Sequence, residues 1–300
     1  MRRFGFALTA IYALTVSGQA LAQETPRVVT VNYALQYMAE RLLDGDAEVV
    51  FPVPDDVDPS FWRPSIADIT AIQSADLIVL NGAGFASWVD RVSLPRSKTV
   101  TTAAGLAERF IITETITHSH GDGGEHAHEG LAAYTWLDLT MAAAQAEAMA
   151  DAITARDLAA PDGVAERLTD LLADFEQLDR DTRTRLANAQ GVAMIATHPR
   201  YQYLARRYAL DINALEWEAG AMPTPAQLDA LDTLAAETGA GVIIWEAAPP
   251  PEAIAAAAER GLQSAVFPPL AQIAEPRDFV AAFSAGVDAI SNAVNMTEDD

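Results

Sequence analysis

The sequence predicts an α/β protein with parallel sheets, long enough for two compact lobes bridged by one long helix. Three observations predict it. Short apolar runs alternate with helical-period segments through both halves of the chain, a pattern that gives parallel strands joined by right-handed crossovers. Val164–Ala189 keeps an apolar stripe of Leu168, Leu171, Leu172, Phe175, Leu178 and Leu186; about 26 residues at 1.5 Å each span roughly 39 Å, enough to cross two lobes. Half of the 300 residues are hydrophobic and a fifth are charged, the make-up of a globular chain with a sizeable core.

The elements follow in order. Residues 1–22 have a signal peptide's layout: Arg2 and Arg3, then apolar Phe4–Val16, then Ala20-Leu21-Ala22 as a small-x-small cleavage site. Cleavage after Ala22 and export to the periplasm are expected. The apolar run is short for a membrane span, and no later run approaches ~20 apolar residues. Without cysteine there is neither a lipid-attachment thiol nor a disulfide. Loss of Arg2 and Arg3 takes the formal charge from −23 to −25, which repels nucleic acid and anionic membranes and attracts cations without choosing among them. A monomer is expected.

Arg27–Asn32 (RVVTVN) reads as the first strand, Tyr33–Leu43 as a helix and Ala47–Pro52 as the second strand. A proline-rich loop through Asp58, Pro59, Ser60, Trp62 and Arg63 leads to a helix at Ile66–Gln73. Ala75–Leu80 is the third strand, followed by Gly82 and Gly84 and a helix through Trp88 to Val92. A dinucleotide fingerprint is rejected there, because its third glycine falls on Ser87. Thr140–Ala155 is an alanine-rich helix, with Asp138 before it as a cap. Heptads along Val164–Ala189 are broken by polar Asp179–Thr184, which excludes a free coiled coil. Later come helices at Ala226–Thr238, Glu252–Arg260 and Phe279–Val294, and strands at Gly241–Trp245 and Ser264–Phe267.

Two stretches carry chemistry. Residues 117–130 hold His118, His120, His126 and His128 with Asp122, Glu125 and Glu129 among glycines. Imidazoles in such density suit zinc, copper or nickel. It is not a zinc-protease signature, because His128-Glu129 has Ala132 where a second histidine belongs. The other stretch is Gly191–Trp217. Apolar Val192–Ala196 is a strand that Thr197-His198-Pro199 ends, and Tyr201, Leu204, Ala205 and Tyr208 recur at helical spacing. His198 thus stands at the carboxyl end of a strand, the edge where open α/β sheets bind ligands. It reads either as a backbone-bonding histidine or as a metal ligand.

The words THP-x-x-x-YLARRY-x-L from Thr197 resemble the third ligand segment of the zinc and manganese ABC-transporter solute-binding proteins, the ZnuA-like family. VPDDVDP with PSIADITAIQSADLIVLNGAGFASWVDR resembles the first, and AYTWLDL at 133–139 the second. The resemblance covers roughly residues 27–290. It implies two Rossmann-like lobes, an N-terminal one at 23–160 and a C-terminal one at 190–300, with a spine helix over 161–189 and a metal cleft between. It also implies delivery to a membrane ABC permease, and a histidine-rich insertion where 117–130 stands.

Zinc-binding members use three histidines and a carboxylate, a set that suits tetrahedral zinc. By the resemblance those positions are Ser60, Tyr134, His198 and Pro268, so only His198 is kept. Three accounts survive. In the first, zinc, or another divalent metal, is held by His198 with histidines of 118–128 and Glu246. In the second, only the histidine tract binds zinc, as a buffer or chaperone. In the third, Trp62, Tyr134, Trp136 and Trp245 line a cleft refitted for a non-metal solute, with Arg63 or Arg200 recognising an anion. A ferric site with a Tyr134 phenolate, His198 and Glu246 is a variant of the first. The first is the reading adopted, with a zinc-delivering periplasmic protein as a further partner. Catalysis is not expected: there is no cysteine, no Gly-x-Ser-x-Gly elbow and no second cleft histidine to act with a nucleophile.

Overall fold

The computed structural model describes residues 25–113, 130–273 and 276–298. In the N-terminal lobe, β1 (Arg27–Thr30), β2 (Glu48–Val50), β3 (Leu77–Leu80) and β4 (Thr99–Thr101) form one sheet in the order β2-β1-β3-β4. Every pairing is parallel; Val28 lies opposite both Val49 and Leu77. β3 is apolar and buried along its whole length, as a central parallel strand covered on both faces should be.

α1 (Tyr33–Leu43) starts at Asn32, whose side-chain oxygen accepts from Leu35 N–H at 2.9 Å. α2 (Ile66–Ser74) opens on a capping box made by Ser65 and Asp68. A two-stranded antiparallel ribbon, β5 (Ile112–Thr113) and β6 (Gly130–Leu131), flanks the histidine tract. His118, His120, His126 and His128 lie outside the described residues, as do residues 1–24. α3 (Leu139–Thr154) then leads to α4 (Pro161–Arg185).

The C-terminal lobe runs β7 (Ala193–Ala196), α5 (Gln202–Tyr208), β8 (Asp211–Ala214), α6 (Pro225–Thr238), β9 (Val242–Trp245), α7 (Pro251–Ala258), β10 (Gln263–Val266) and α8 (Phe279–Glu298). Its sheet is again all parallel, in the order β10-β9-β7-β8. Numbered within its own lobe, each sheet reads 2-1-3-4. The fold therefore repeats although the sequence does not. In such sheets the crevice for ligand opens where the strand order reverses, here between β7 and β9.

The differences from the expected elements have physical reasons. β4 and β8 were not expected, because Thr99, Thr101, Asp211 and Asn213 break the apolar pattern of these short, incompletely buried edge strands. The helix expected through Trp88 to Val92 is a short 3₁₀ turn, Val89–Arg91. The spine helix begins at Pro161, the start expected for it, since a proline's missing N–H costs nothing in the first turn. It stops at Arg185, and Ala187–Ala189 form a separate 3₁₀ turn.

α4 is tied to both lobes. Toward the N-terminal lobe, Arg41 reaches Asp174 at 2.8 Å and Arg167 reaches Asp46 at 3.0 Å. Toward the C-terminal lobe, Arg207 grips Asp179 through two nitrogens at 2.9 and 2.7 Å, and Arg185 meets Asp288 at 3.1 Å. The segment after β10 crosses back as a strap. Pro269 O accepts from Trp136 Nε1 at 2.8 Å, Ala271 O from Tyr33 N–H at 2.8 Å, and Gln272 Nε2 donates to Pro54 O at 2.8 Å.

Candidate functional site

The site is built on the carboxyl ends of β7 and β9. Thr197 N–H extends the ladder by donating to Ile244 O at 2.8 Å, and Pro199 stops it. Arg200 N–H then donates to His198 O at 2.9 Å, a tight turn placed just before α5. From β9, Glu246 follows Trp245, and its N–H donates to Thr197 Oγ1 at 3.3 Å. His198, Arg200 and Glu246 are thus set side by side by two adjacent parallel strands.

Arg200 is the centre of the cluster. Its residue is 6% exposed, so its guanidinium must find its charge partners inside the protein. Nη2 donates to Asp58 Oδ2 at 2.5 Å and Nη1 to Ser60 Oγ at 3.3 Å, both across the cleft in the N-terminal lobe. Nε lies 3.3 Å from Glu246 Oε1. The guanidinium carbon is 4.7 Å from the Tyr134 ring centre and 5.6 Å from that of Phe61, within cation–π range of both. Asp58 is itself fixed by Ser60, whose N–H and Oγ–H donate to Oδ1 at 2.8 and 2.6 Å.

Burial weakens the Arg200 charge, but Tyr134, Glu246 and Asp58 outweigh it and hold the group above its ordinary value. For Glu246 burial prevails: its carboxyl is raised, with Arg200 pulling it down and Asp58 adding to the rise. Burial also lifts the Tyr134 hydroxyl far above the ordinary phenol range. With no metal beside it, the Tyr134 side chain is therefore a neutral phenol. The same hydroxyl faces Ser60 without a well-formed hydrogen bond.

His198 Nδ1 has two acceptors beside it, Trp217 O at 3.1 Å and Glu246 Oε2 at 3.3 Å. Both require the proton on Nδ1, which leaves the lone pair of the neutral ring on Nε2. The backbone-bonding reading of His198 thus holds, and it fixes the ring in the way that second-shell carbonyls fix metal-ligating histidines. The fourth expected position, Pro268, has no donor. The carbonyl before it accepts from Tyr201 OH and the one after it from Trp136 Nε1, so this stretch is a strut between the lobes. Among the described residues, no three His, Asp or Glu side chains converge closely enough to hold a metal ion.

The aromatic residues pack against one another. Trp62 meets Trp88 edge-on at 6.0 Å, Trp245 meets Trp217 at 5.8 Å, and Trp136 sits fully buried against Phe85 and Tyr134. Arg200 is paired with carboxylates, so it is not the anion receptor anticipated for a refitted cleft. The cavity beside His198, bordered by Tyr201, Gln202 and Ile212, has about 30 Å³, room for water but not for a solute. A second, bordered by Trp217, Glu218, Met222 and Gln227, has about 230 Å³, below the usual size of a small-molecule site. Asp138 caps α3 through Thr140 N–H at 3.0 Å and pairs with Arg109 at 3.1 Å.

Of the positions singled out in the sequence, Ser60, Tyr134 and Glu246 lie against Arg200, and His198 is joined to it through Glu246. Sequence reasoning missed Asp58 as a partner. The available signal was a basic residue two positions from the retained histidine, in a set of positions that had lost its other donors.

The family model for ZnuA, described as the zinc-uptake complex component A, periplasmic, matches residues 28–293. The chain belongs to the ZnuA family. It is 25% identical over 231 residues to the high-affinity zinc uptake system protein ZnuA of Bacillus subtilis, covering 73% of this chain and 70% of that one. It is 24% identical over 280 residues to the zinc-binding protein AdcA of Streptococcus pyogenes, with 88% of this chain covered but only about half, 54%, of AdcA. Its fold is similar to that of the solute-binding protein FpvC of Pseudomonas aeruginosa in complex with Mn2+, with a TM-score of 0.72, 19% identity and coverage of 91% and 100%. ZnuA-family members are metal-binding proteins of transport systems, and the two-lobed α/β architecture seen here is theirs.

Proposed function

We propose that this chain is the exported solute-binding component of a zinc ABC uptake system, and that its zinc donors are His118, His120, His126 and His128. One observation carries the reading: the cleft where a ZnuA-family metal belongs is filled by the Arg200 guanidinium, and no metal-holding trio exists among the described residues. The imidazole-rich stretch at 117–130 is then the remaining place with zinc chemistry. Export follows from the signal-peptide layout, with cleavage after Ala22, and a membrane permease is the partner that the family supplies. Lobes divided at 160 and 190 fit a spine that is tied to both of them.

A second reading keeps His198 as a cleft-side ligand joined to the tract, as first adopted from the sequence. Its support is the Nδ1 contact with Trp217 O, which leaves Nε2 as the nitrogen that can ligate. Zinc calorimetry on the mature protein separates the two. Replacing all four tract histidines by alanine abolishes zinc uptake in the first reading, and His198→Ala leaves it unchanged. A large loss with His198→Ala alone supports the second. Zinc uptake that survives the fourfold replacement unchanged would overturn the tract as donor.

A further inference from the structure

Arg200 does more than fill space. We infer that Arg200 is a specificity-determining residue, an internal cation that takes the place of the metal between the lobes and keeps divalent cations out of the cleft. The inference rests on the family reading above but not on the role of the histidine tract.

Of the four places where the resembled family carries its ligands, the guanidinium donates to Ser60 and lies over the ring of Tyr134. It shares Glu246 with the third, His198, since Glu246 Oε1 faces Arg200 Nε and Oε2 faces His198 Nδ1, both at 3.3 Å. One arginine therefore meets, directly or through one carboxylate, three of the four positions.

Charge points the same way. Asp58 and Glu246 bring two negative charges and Arg200 one positive, so a divalent ion entering beside Arg200 would meet a cation already hydrogen-bonded to the donors it needs. Entry requires the Arg200 side chain to leave a buried place where its charge is compensated. The hydrogen bonds to Asp58 and Ser60 also run from one lobe to the other, so the link that a bound ion makes between lobes is made here by a side chain.

The imperfections of the cluster support this origin. Arg200 Nε, Glu246 Oε2 and the Tyr134 hydroxyl are buried and lack aligned hydrogen bonds. A cluster shaped for a guanidinium alone would align them, because buried unpaired polar atoms are costly. Asp58, Glu246, His198 and Ser60 do not converge as they stand, but with the arginine absent they are the oxygen-rich set that would have to close on an entering ion.

The test uses the full mature chain with His118, His120, His126 and His128 changed to alanine, so that tract zinc does not mask the cleft. Zinc and manganese are added singly and followed by calorimetry. The parent is expected to take up neither ion. Arg200→Ala and the longer, uncharged Arg200→Gln are expected to gain one site per chain, binding at least tenfold tighter than any residual uptake of the parent. Glu246→Gln added to either should remove the gain. Hydrogen exchange of the parent at 58–61 and 197–201, which needs no cleft variant to fold, should be the same in zinc and in chelator. The inference is overturned if the parent takes up one ion that His198→Ala or Glu246→Gln abolishes, if its exchange at those segments slows with zinc, or if folded Arg200 variants gain nothing. None of these outcomes bears on whether the tract holds zinc in the unaltered protein.

Discussion

Arg200 in the cleft and Asp179 on α4 are both set among opposite charges near the junction of the lobes, and their surroundings differ. Asp179 accepts four hydrogen bonds: Arg207 gives two, at 2.9 and 2.7 Å, Arg183 one at 3.0 Å and Tyr208 one at 3.0 Å. Burial pushes its carboxyl up, but those donors prevail and hold it below its ordinary value. In the cleft the balance is reversed: one cation stands between two carboxylates, its Nε and Glu246 Oε2 lack aligned partners, and Glu246 is raised. A complete set of partners is what a structural ion pair needs. The incomplete set lies in the cleft, around the positions that the sequence resemblance matches to metal ligands.

The largest expected effect breaks the cleft cluster. Arg200→Ala leaves Glu246 buried without its cation and should cost about 3–5 kcal/mol in urea unfolding. Asp179→Ala should cost less, about 1.5–3 kcal/mol, because Arg183 and Arg207 can turn to water. If Asp179→Ala proves the costlier, the contrast between the two clusters is misdrawn.

Acid sharpens the comparison, because the two carboxyls respond in opposite directions. Asp179 lies below its unfolded value, so its contribution is present above an ordinary aspartate pKa of 3.8 and is lost as pH falls through the folded value. Glu246 lies above its unfolded value of 4.5, so its charged form weighs against the fold at neutral pH and protonation relieves that. Urea midpoints measured down the acid range should fall less steeply in Asp179→Asn than in the parent. An unchanged slope would remove Asp179 from the acid limb.

Two smaller effects probe the strap between the lobes. A Cβ on Gly286 in α8 would lie 2.4 Å from the Phe267 ring, so Gly286→Ala must displace the residue whose carbonyl accepts from Tyr201. About 1–3 kcal/mol of destabilisation is expected from such overpacking. Tyr201→Phe removes only that hydrogen bond and should cost about 0.5–1.5 kcal/mol. Thermal unfolding that ranks Tyr201→Phe above Gly286→Ala would show that the bond, not the packing, holds the strap.

Much of this was legible in the sequence, for reasons that differ by region. The buried strands β3, β7 and β9 are unbroken apolar runs, and α4 announces itself by the spacing of Leu171, Phe175 and Leu178. The edge strands β4 and β8 were not, since an edge needs no apolar pattern to pair. At the site, strand ends located His198 and Glu246. The pairing of Arg200 with Asp58 joins residues 142 apart, and no local pattern encodes such a contact. It depends on how the lobes meet, which only the tertiary structure displays.

The most direct measurement is an anomalous-scattering map from crystals of the mature protein grown with zinc. The account expects the zinc peak away from the cleft, with Arg200 still bonded to Asp58 and Ser60. A peak between His198 and Glu246, with the arginine swung out, would contradict it.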